Sequence, residues 1–254
     1  MNSLARAAEA IWQAVTPLLP GFTVEVVPEL DSTNSELMRR ARAGRLEPVL
    51  LVAARQSAGR GRLGRAWQSE PGASLTCSLG LPLAPADWSG LSLAVGVTLA
   101  ESLHPDIRLK WPNDLWLQDR KLAGILIETA SNGPGTGRSA VVGVGINLEP
   151  PAAADALSTP PAGLRALVPA IDAGGALERI AAPLVGGLLA FERAGFAPFR
   201  PGFEARDALR GRRVVLSDGR EGQALGTNEF GALIVHTGLA VHTVVSSEVS
   251  VRPA

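Results

Sequence analysis

The chain has 254 residues, of which 46% are apolar and 19% are charged, and its 24 Lys plus Arg are balanced by 24 Asp plus Glu. Such a composition can bury a core and excludes a disordered chain, while the zero net charge excludes a general attraction to nucleic acid or to anionic membranes. The only cysteine, Cys77, excludes an internal disulfide and a cysteine-based zinc cluster. We therefore expect a protein of the reducing cytoplasm, without a signal peptide or a membrane-spanning segment.

Helix-like and strand-like segments are mixed along most of the chain. Residues 4–19 have helical spacing that Pro20 would end. Thr33 and Glu36 have the spacing of a capping box, before a helix that Gly44 would terminate. Further strands are predicted at 22–27, 48–54, 73–81, 107–111, 122–128 and 140–147, and further helices at 91–103 and 176–193. The pattern predicts an α+β fold with a mixed β-sheet covered by helices.

The C-terminal part has a different pattern, in which short β-branched runs alternate with turn signals. The turns are predicted at 217–219, 229–231 and 237–238. We therefore predict two domains, a larger one over 1–206 and a small all-β domain over 207–254. Residues 150–175 are rich in Ala, Pro and Gly, which predicts a loop.

A loop over residues 56–67 places three arginines among three glycines, directly after a predicted strand. Glycines let main-chain N–H groups approach an anion closely, and guanidinium groups bind phosphate oxygens through paired hydrogen bonds. Trp67 adds a flat apolar face. The loop also matches the glycine pattern of dinucleotide-binding folds, but residues 70–72 leave no room for the helix that this motif opens. We predict a phosphate-binding loop; a solvated basic turn and a nucleic-acid-binding segment are the alternatives.

Two lysines flank a second polar segment. Lys110 ends one predicted strand and Lys121 begins another, with Asp114 between them. In a hairpin these groups would meet at one end of the sheet, where they could neutralise carboxylate and phosphate oxygens or help to hold Mg²⁺. A pair of solvated lysines is the alternative.

A later strand contains small residues. Gly143 and Gly145 mark a place where a ligand or another part of the backbone comes close, or where packing is merely tight. Asn147, at the end of this strand, could contact a base or a phosphate, or could cap a turn.

Taken together, these segments resemble the biotin–protein ligase family. The resemblance is strongest over residues 22–148 and rests on motifs in the family's order and spacing, at 32–34, 59–67, 110–114, 121–125 and 143–147. It implies the family's catalytic fold, which is similar to that of class II aminoacyl-tRNA synthetases, with a small C-terminal SH3-like β-barrel domain. It also implies an enzyme that uses ATP and Mg²⁺ to activate biotin as biotinyl-5'-AMP, and then transfers it to a lysine of a biotin carboxyl carrier protein domain of a carboxylase.

The resemblance further implies a role for each motif residue. The residues implied in biotin binding are Ser32, Thr33, Asn34, Gln56, Gly59, Arg60, Gly61, Arg62, Trp67, Lys121, Gly124, Gly143 and Gly145. Those implied in ATP binding are Arg62, Arg65, Trp67, Lys110, Asn113, Lys121 and Asn147. The catalytic set is Arg62, Lys110, Asp114 and Lys121, and Asp114 could contact the metal through a bound water. No tightly bound prosthetic group is expected.

The chain departs from the family pattern in two places. Leu63 stands where many relatives have a basic residue, which predicts a different loop order or a weaker hold on the intermediate. The chain also begins almost directly with the catalytic part, so we expect no DNA binding, no membrane association, and a monomer or weak homodimer. The competing functions are a lipoate–protein ligase and, from a different class, a non-enzymatic module that binds nucleotide or nucleic acid.

Overall fold

The computed structural model describes residues 3–131, 137–151, 159–238, 240–245 and 251–253. Its helices are α1 (Ser3–Val15), α2 (Thr33–Arg42), α3 (Leu91–Leu103), α4 (Ala173–Ala194) and α5 (Arg200–Arg206). The strands of the larger sheet are β1 (Thr23–Leu30), β2 (Val49–Gln56), β3 (Ser74–Pro82), β4 (Arg108–Lys110), β5 (Asp114–Leu117), β6 (Arg120–Ser131) and β7 (Arg138–Asn147). The strands of the smaller sheet are β8 (Arg213–Leu216), β9 (Glu221–Thr227), β10 (Leu233–His236), β11 (Val241–Val244) and β12 (Val251–Pro253).

The larger sheet is mixed, with the strand order β1-β2-β3-β7-β6-β5-β4. Strands β1 and β2 are parallel, and every other neighbouring pair is antiparallel. Because β7 lies between β3 and β6, a long hairpin of β6 and β7 occupies the middle of the sheet. The predicted mixed sheet covered by helices is confirmed.

Both faces of this sheet are covered by helices. Successive side chains in a strand point to opposite faces, so alternate residues of one strand belong to different cores. On β2, Leu50 and Val52 belong to the large core that also contains the buried faces of α1, α3 and α4. Val49 and Leu51 belong instead to a smaller core with Leu37 of α2. Helix α2 is thus alone among the described α-helices in packing on its face of the sheet, which leaves room beside it.

Helix α4 is long and apolar enough to cross a membrane by length and composition alone. Half of its most apolar window is buried inside the molecule, and the helix packs against α1 and α3. It is therefore placed as a core helix, and its apolar face has a partner in the fold.

Two predicted helix boundaries are wrong. Helix α1 ends at Val15 and not at residue 19, because Pro17 disfavours helical geometry at the residue before it. The first turn of α2 is capped by Ser32, whose Oγ accepts the Ser35 N–H at 3.4 Å, so Thr33 is already inside the helix and the predicted capping box does not form. Gly44 does follow the helix with a φ of +66°, as predicted.

Two elements were not predicted. Strand β5 turns a single expected hairpin into two, so that Lys110 pairs with Asp114 in β4–β5 while Trp116 pairs with Lys121 in β5–β6. Helix α5 adds one short element before the smaller sheet. Part of the predicted loop over 150–175, residues 152–158, lies outside the described residues; its described part includes a single 3₁₀ turn at Leu164–Ala166.

The smaller sheet is antiparallel throughout, with the order β11-β10-β9-β8-β12. The three predicted turns fall between its strands. Buried residues of this sheet, including Leu216 and Leu233, belong to the same large core as α1, α3 and α4. Trp111, which is fully buried, donates its Nε1–H to the carbonyl of Gly231 at 3.0 Å. The two sheets are therefore packed together, and the division at 206/207 stays a prediction.

Candidate active site

A cavity of about 460 Å³ opens beside α2 on its face of the larger sheet. Every residue predicted for the site lines it except Gly59. Gly59 lies outside because it is packed against the main-chain carbonyl of Trp67, where a Cβ would have no room. The predicted residues that line the cavity are Ser32, Thr33, Asn34, Gln56, Arg60, Gly61, Arg62, Arg65, Trp67, Lys110, Asn113, Asp114, Lys121, Gly124, Gly143, Gly145 and Asn147.

Glycines in neighbouring strands form the floor of the cavity. Gly143 of β7 pairs with Ser78 of β3 and Leu126 of β6, and Gly145 pairs with Gly124 of β6. Alternate residues of a strand share a face, so Gly143 and Gly145 both lie on the α2 side. A Cβ on Gly143 would overlap the side-chain amide of Asn34, and one on Gly145 would overlap the indole of Trp67. The glycines are thus required by close contacts, which the sequence pattern had left open.

One end of the cavity is lined mainly by neutral polar groups. The Thr33 N–H donates to Gln56 Oε1 at 2.7 Å, and the Thr33 hydroxyl lies 3.1 Å from the same oxygen. Ser78 Oγ lies 2.7 Å from Thr33 Oγ1 and 2.6 Å from Asn34 Oδ1. Thr33 and Asn34 lie in the first turn of α2 and Gln56 ends β2, so this end is built where the helix begins beside the strand end. It suits a small ring with hydrogen-bonding groups.

Arg60 does not point its guanidinium freely into this end. Its Nη2 donates to Glu128 Oε1 at 3.1 Å, and its Nη1 donates to Glu128 Oε2 at 3.3 Å and to Ser35 Oγ at 3.2 Å. Glu128 Oε2 also accepts from Asn34 Nδ2 at 3.1 Å. The ion pair therefore ties the arginine-glycine loop to β6 and to α2.

Trp67 lies in the middle of the cavity. Its Cζ3 would be 3.3 Å from a Cβ on Gly124, and the Lys121 Nζ lies 5.8 Å from the centroid of its ring. The indole Nε1–H is buried without a hydrogen-bond partner among the described residues. The indole ring of Trp67 thus lies between the polar end of the cavity and the charged end.

The charged end contains both lysines of the chain, since Lys110 and Lys121 are the only two in the sequence. Lys121 Nζ donates to Asp114 Oδ1 at 2.8 Å, and the Asp114 side chain is only 12% exposed. Burial lowers the pKa of Arg62, against a smaller opposing effect of Asp114. Several cations thus surround one carboxylate, an arrangement that favours a polyanionic ligand.

Lys110 is a further partly buried cation at this end. Burial lowers its pKa; Asp114 acts in the opposite direction, and the nearby positive charges of Lys121, Arg65 and Arg252 lower the pKa further. A buried ammonium that neighbouring cations destabilise gains from the arrival of phosphate oxygens.

Two asparagine side chains brace β6 from within the cavity lining. Asn113 Nδ2 donates to the Ile125 carbonyl at 2.9 Å, and Asn147 Nδ2 donates to the Lys121 carbonyl at 3.3 Å. Both amides therefore fix the backbone that carries Lys121, in addition to any contact with a ligand.

The arginine-glycine loop is held by its own backbone. The Gly61 N–H donates to the Arg65 carbonyl at 2.7 Å, and the Trp67 N–H donates to the Gly59 carbonyl at 2.9 Å. At the tip, Leu63 adopts a φ of +56° and is 68% exposed, and it also lines the cavity. The residue that departs from the family pattern is thus largely exposed and has a left-handed conformation.

The structure adds residues that the sequence did not indicate. Ser78 and Glu128 support the polar end from outside the cavity, and Val251 and Arg252 of β12 line the cavity itself. The available signal for Ser78 was the series of polar residues at alternate positions of an otherwise apolar strand, Ser74, Thr76 and Ser78. For β12, no sequence signal was available.

The residues present do not form a metal cage. Among the described residues, no group of three or more His, Cys, Asp or Glu side chains is placed to hold a metal ion. Asp114 is the only carboxylate among the residues that line the cavity, and it is bonded to Lys121. This fits a metal that arrives with phosphate oxygens and keeps most of its water ligands.

Comparison with known proteins gives a consistent result. Residues 27–147 match the biotin/lipoate A/B protein ligase family. The bifunctional ligase/repressor BirA of Escherichia coli (strain K12) is 36% identical over 252 residues, a match that covers 93% of this chain and 76% of the relative. The biotin–[acetyl-CoA-carboxylase] ligase of Paracoccus denitrificans is 30% identical over 239 residues, which cover 86% of this chain and 96% of the relative.

A solved structure agrees in fold. The biotin protein ligase from Aquifex aeolicus in complex with biotin and ATP superposes with a TM-score of 0.78 and 27% identity, covering 91% of this chain and 99% of that chain. The family that the motifs indicated is therefore confirmed.

Proposed function

The chain belongs to the biotin/lipoate A/B protein ligase family, and from this premise we propose that it is an ATP-dependent biotin–protein ligase acting on a biotin carboxyl carrier protein domain of a carboxylase. It activates biotin with ATP and transfers the biotinyl group to a lysine of the carrier. The observation that carries the proposal is the convergence of Arg62, Lys110 and Lys121 on one cavity whose other end is lined mainly by neutral polar groups.

In the first step, a carboxylate oxygen of biotin attacks the α-phosphorus of ATP, the bond to pyrophosphate breaks, and biotinyl-5'-AMP forms. This chemistry needs no protein nucleophile. Negative charge grows on the phosphoryl oxygens and on the leaving pyrophosphate, so cations fixed in advance stabilise the transition state. We assign that role to Arg62, Lys110 and Lys121, and we assign the orientation of Lys121 to Asp114, which lies 2.8 Å away.

In the second step, the uncharged ε-amine of the carrier lysine attacks the carbonyl carbon of the mixed anhydride. The bond to AMP breaks, an amide forms, and the amine proton is lost to solvent or to AMP. The anhydride is susceptible to water, so it must be covered until the carrier arrives. The loop at 59–67 is suited to that cover, because the ion pair of Arg60 with Glu128 anchors one side of it.

We assign the polar end of the cavity to the cyclic urea of biotin and the charged end to ATP. Ser32, Thr33 and Gln56 offer hydroxyl and amide groups to the urea, while Gly124, Gly143 and Gly145 leave room for the fused rings. Arg65, Asn113 and Asn147 lie near the nucleotide. Mg²⁺ would neutralise phosphate charge, with Asp114 in reach of a metal-bound water.

The cell-level expectations follow from the same proposal. We propose that the enzyme acts in the cytoplasm as a monomer or weak homodimer, and that it does not bind DNA. The balanced charge of the chain supports the last point, since the cations of the site face a cavity and not an extended surface. A nucleic-acid-binding module would instead bind with strong salt dependence and would not exchange pyrophosphate.

A direct comparison of biotin with lipoate as substrates tests which acid the enzyme activates. We expect ATP–pyrophosphate exchange with purified protein to depend on biotin and to be far weaker with lipoate. Two of the proteins reported above, the Paracoccus denitrificans ligase and the Aquifex aeolicus ligase, are named as biotin ligases, which favours this outcome. Exchange that depended on lipoate alone would overturn the proposal.

The role of Lys121 is tested by Lys121→Ala. Removing a preorganised charge from the transition state lowers the rate by about 10²–10³-fold, so biotin-dependent exchange should be lost while the thermal unfolding profile is kept. Arg55→Ala is the matched control, because it removes one positive charge from an exposed surface pair with Glu29. Exchange at the wild-type rate in the Lys121 variant would refute the assigned role.

A further inference from the structure

We propose that Ser78, which lies outside the cavity, is a positioning residue: it fixes the direction of the Thr33 hydroxyl proton and thereby makes the Thr33 oxygen a hydrogen-bond acceptor for the ring of the bound acid. Ser78 is 0% exposed in the middle of β3 and does not line the cavity. The inference rests on the proposed function, because biotin is the ligand that tests it.

The first step fixes the amide of Asn34. Its Nδ2 lies 3.1 Å from the Leu126 carbonyl oxygen and 3.1 Å from Glu128 Oε2. A carbonyl oxygen and an ionised carboxylate oxygen can only accept hydrogen bonds. The amide nitrogen must therefore face these two atoms, and Asn34 Oδ1 must face Ser78, as its distance of 2.6 Å from Ser78 Oγ requires. Gly143 makes this possible, because a Cβ there would overlap the amide.

The second step counts hydroxyl protons. Ser78 has one proton and lies within hydrogen-bonding distance of two oxygens, Asn34 Oδ1 at 2.6 Å and Thr33 Oγ1 at 2.7 Å. The amide oxygen has no proton to give, so Ser78 must donate to Asn34. The bond between the two hydroxyls then needs the proton of Thr33. Thr33 therefore donates to Ser78.

The third step concerns the remaining hydrogen-bonding capacity of the Thr33 hydroxyl oxygen. Its Oγ1 also lies 3.1 Å from Gln56 Oε1, but that oxygen already accepts the Thr33 N–H at the shorter distance of 2.7 Å. With its only proton directed to Ser78, the Thr33 oxygen can offer only lone pairs to the cavity that it lines. The site is thereby set to accept an N–H group of a ligand, such as the cyclic urea of biotin.

Without Ser78 the direction is no longer set. The Thr33 hydroxyl would turn its proton to Gln56 Oε1 or towards the ligand, and an N–H group of the ring would lose a fixed acceptor. The loss of one such hydrogen bond corresponds to an affinity change of about tenfold. It would affect biotin and leave ATP untouched, because the chain of bonds reaches only the polar end of the cavity.

The test is Ser78→Ala, compared with Ser74→Ala as the matched control. Ser74 is a buried serine of the same strand whose hydroxyl bonds only to the main chain of Glu70 in the described contacts. In ATP–pyrophosphate exchange, the Ser78 variant should raise the KM for biotin about tenfold, with kcat and the KM for ATP within about twofold of the wild type. The Ser74 variant should leave all three unchanged, although it lowers stability.

A second variant keeps the inference testable if Ser78→Ala fails to fold. Ser78→Cys replaces the hydroxyl with a thiol, which is only a weak hydrogen-bond donor and acceptor, so it should raise the KM for biotin by about threefold without changing that for ATP. The thiol still offers a weak donor to Asn34 Oδ1, so the amide is not left without a partner and this change is tolerated more easily than the one to alanine.

The outcomes are distinct. An unchanged KM for biotin in both variants would overturn the inference, as would equal losses for biotin and ATP, which indicate a merely structural role. A rise confined to biotin in the Ser78 variant and absent in the Ser74 variant supports it. A wild-type protein without any biotin-dependent exchange would overturn the proposed function itself, and the inference with it.

Discussion

Gly145→Ala is expected to disable the cavity with a single methyl group. An ideal Cβ at this position would lie 2.6 Å from Cζ2 and 2.8 Å from Nε1 of Trp67, whereas non-bonded carbon atoms approach to about 3.5–4.0 Å. The indole must therefore move by about 1 Å away from β7, and that direction leads into the cavity. The φ of Gly145 is not positive, so backbone strain does not complicate the substitution.

Two magnitudes follow from this displacement. Overpacking of a filled site costs about 1–3 kcal/mol, which for a chain of this size lowers the unfolding midpoint by about 2–10 °C. Misplacing substrate by about 1 Å reduces catalysis by up to about 10²-fold. We therefore expect kcat/KM for biotin in pyrophosphate exchange to fall by about 10–100-fold, out of proportion to the modest loss of stability.

Gly124→Ala is the matched comparison for this prediction. Gly124 pairs with Gly145 across β6 and β7, but a Cβ there would be 3.3 Å from its nearest neighbours, which would have to give by only a few tenths of an ångström. Its effect on biotin activation should be clearly smaller. The reasoning fails if the Gly145 variant activates biotin like the wild type, or if the Gly124 variant is the more damaged of the two.

Three further perturbations probe other parts of the molecule. Burial and nearby cations lower the pKa of Lys110, whereas phosphate favours its charged form, so ATP affinity should fall as pH rises through that lowered pKa. At a pH near this pKa, ATP binding should take up protons, which calorimetry in buffers of different ionisation enthalpy measures. Lys110→Met should abolish the proton uptake. Trp111→Phe leaves the Gly231 carbonyl without its buried donor and should cost about 2 kcal/mol in denaturant unfolding; an unchanged midpoint would contradict the role of this bond in joining the sheets. Arg62→Gly should release the adenylate about tenfold faster, so that an added lysine-rich protein is biotinylated at many sites; labelling confined to the carrier would count against the loop as a cover.

Much of the fold could be predicted because its elements follow local rules. The bounds of α3 at Leu91 and Leu103 agree with the apolar run that predicted them. The misassigned cap of α2 shows the limit of spacing rules. Ser32 and Thr33 both fit the pattern, and the choice between them depends on a tertiary contact, the bond from the Thr33 N–H to Gln56 of β2. Strand β5 was missed because four residues between two turns carry too little pattern to be recognised.

The site residues that belong to sequence motifs could be predicted, whereas those that support the site through tertiary contacts could not. The arginine-glycine loop and the two lysines were recognisable by residue type, and they do converge on one cavity. Glu128 looked like an ordinary polar residue at the end of a strand, and its bonds to Arg60 and Asn34 bring together positions far apart in the sequence. Such supporting contacts have no local signature.

The placement of both ε-amines of the chain in one cavity has a practical consequence for chemistry on the protein. An acylating reagent that reacts with primary amines can modify only the α-amino group and the side chains of Lys110 and Lys121, so mass added beyond that of the α-amino group reports on access to the cavity. Protection by nucleotide could be followed on the intact protein without a tag or a radiolabel. For the same reason, an activated acyl group that escaped from the site would meet no lysine on the exterior of the enzyme that made it.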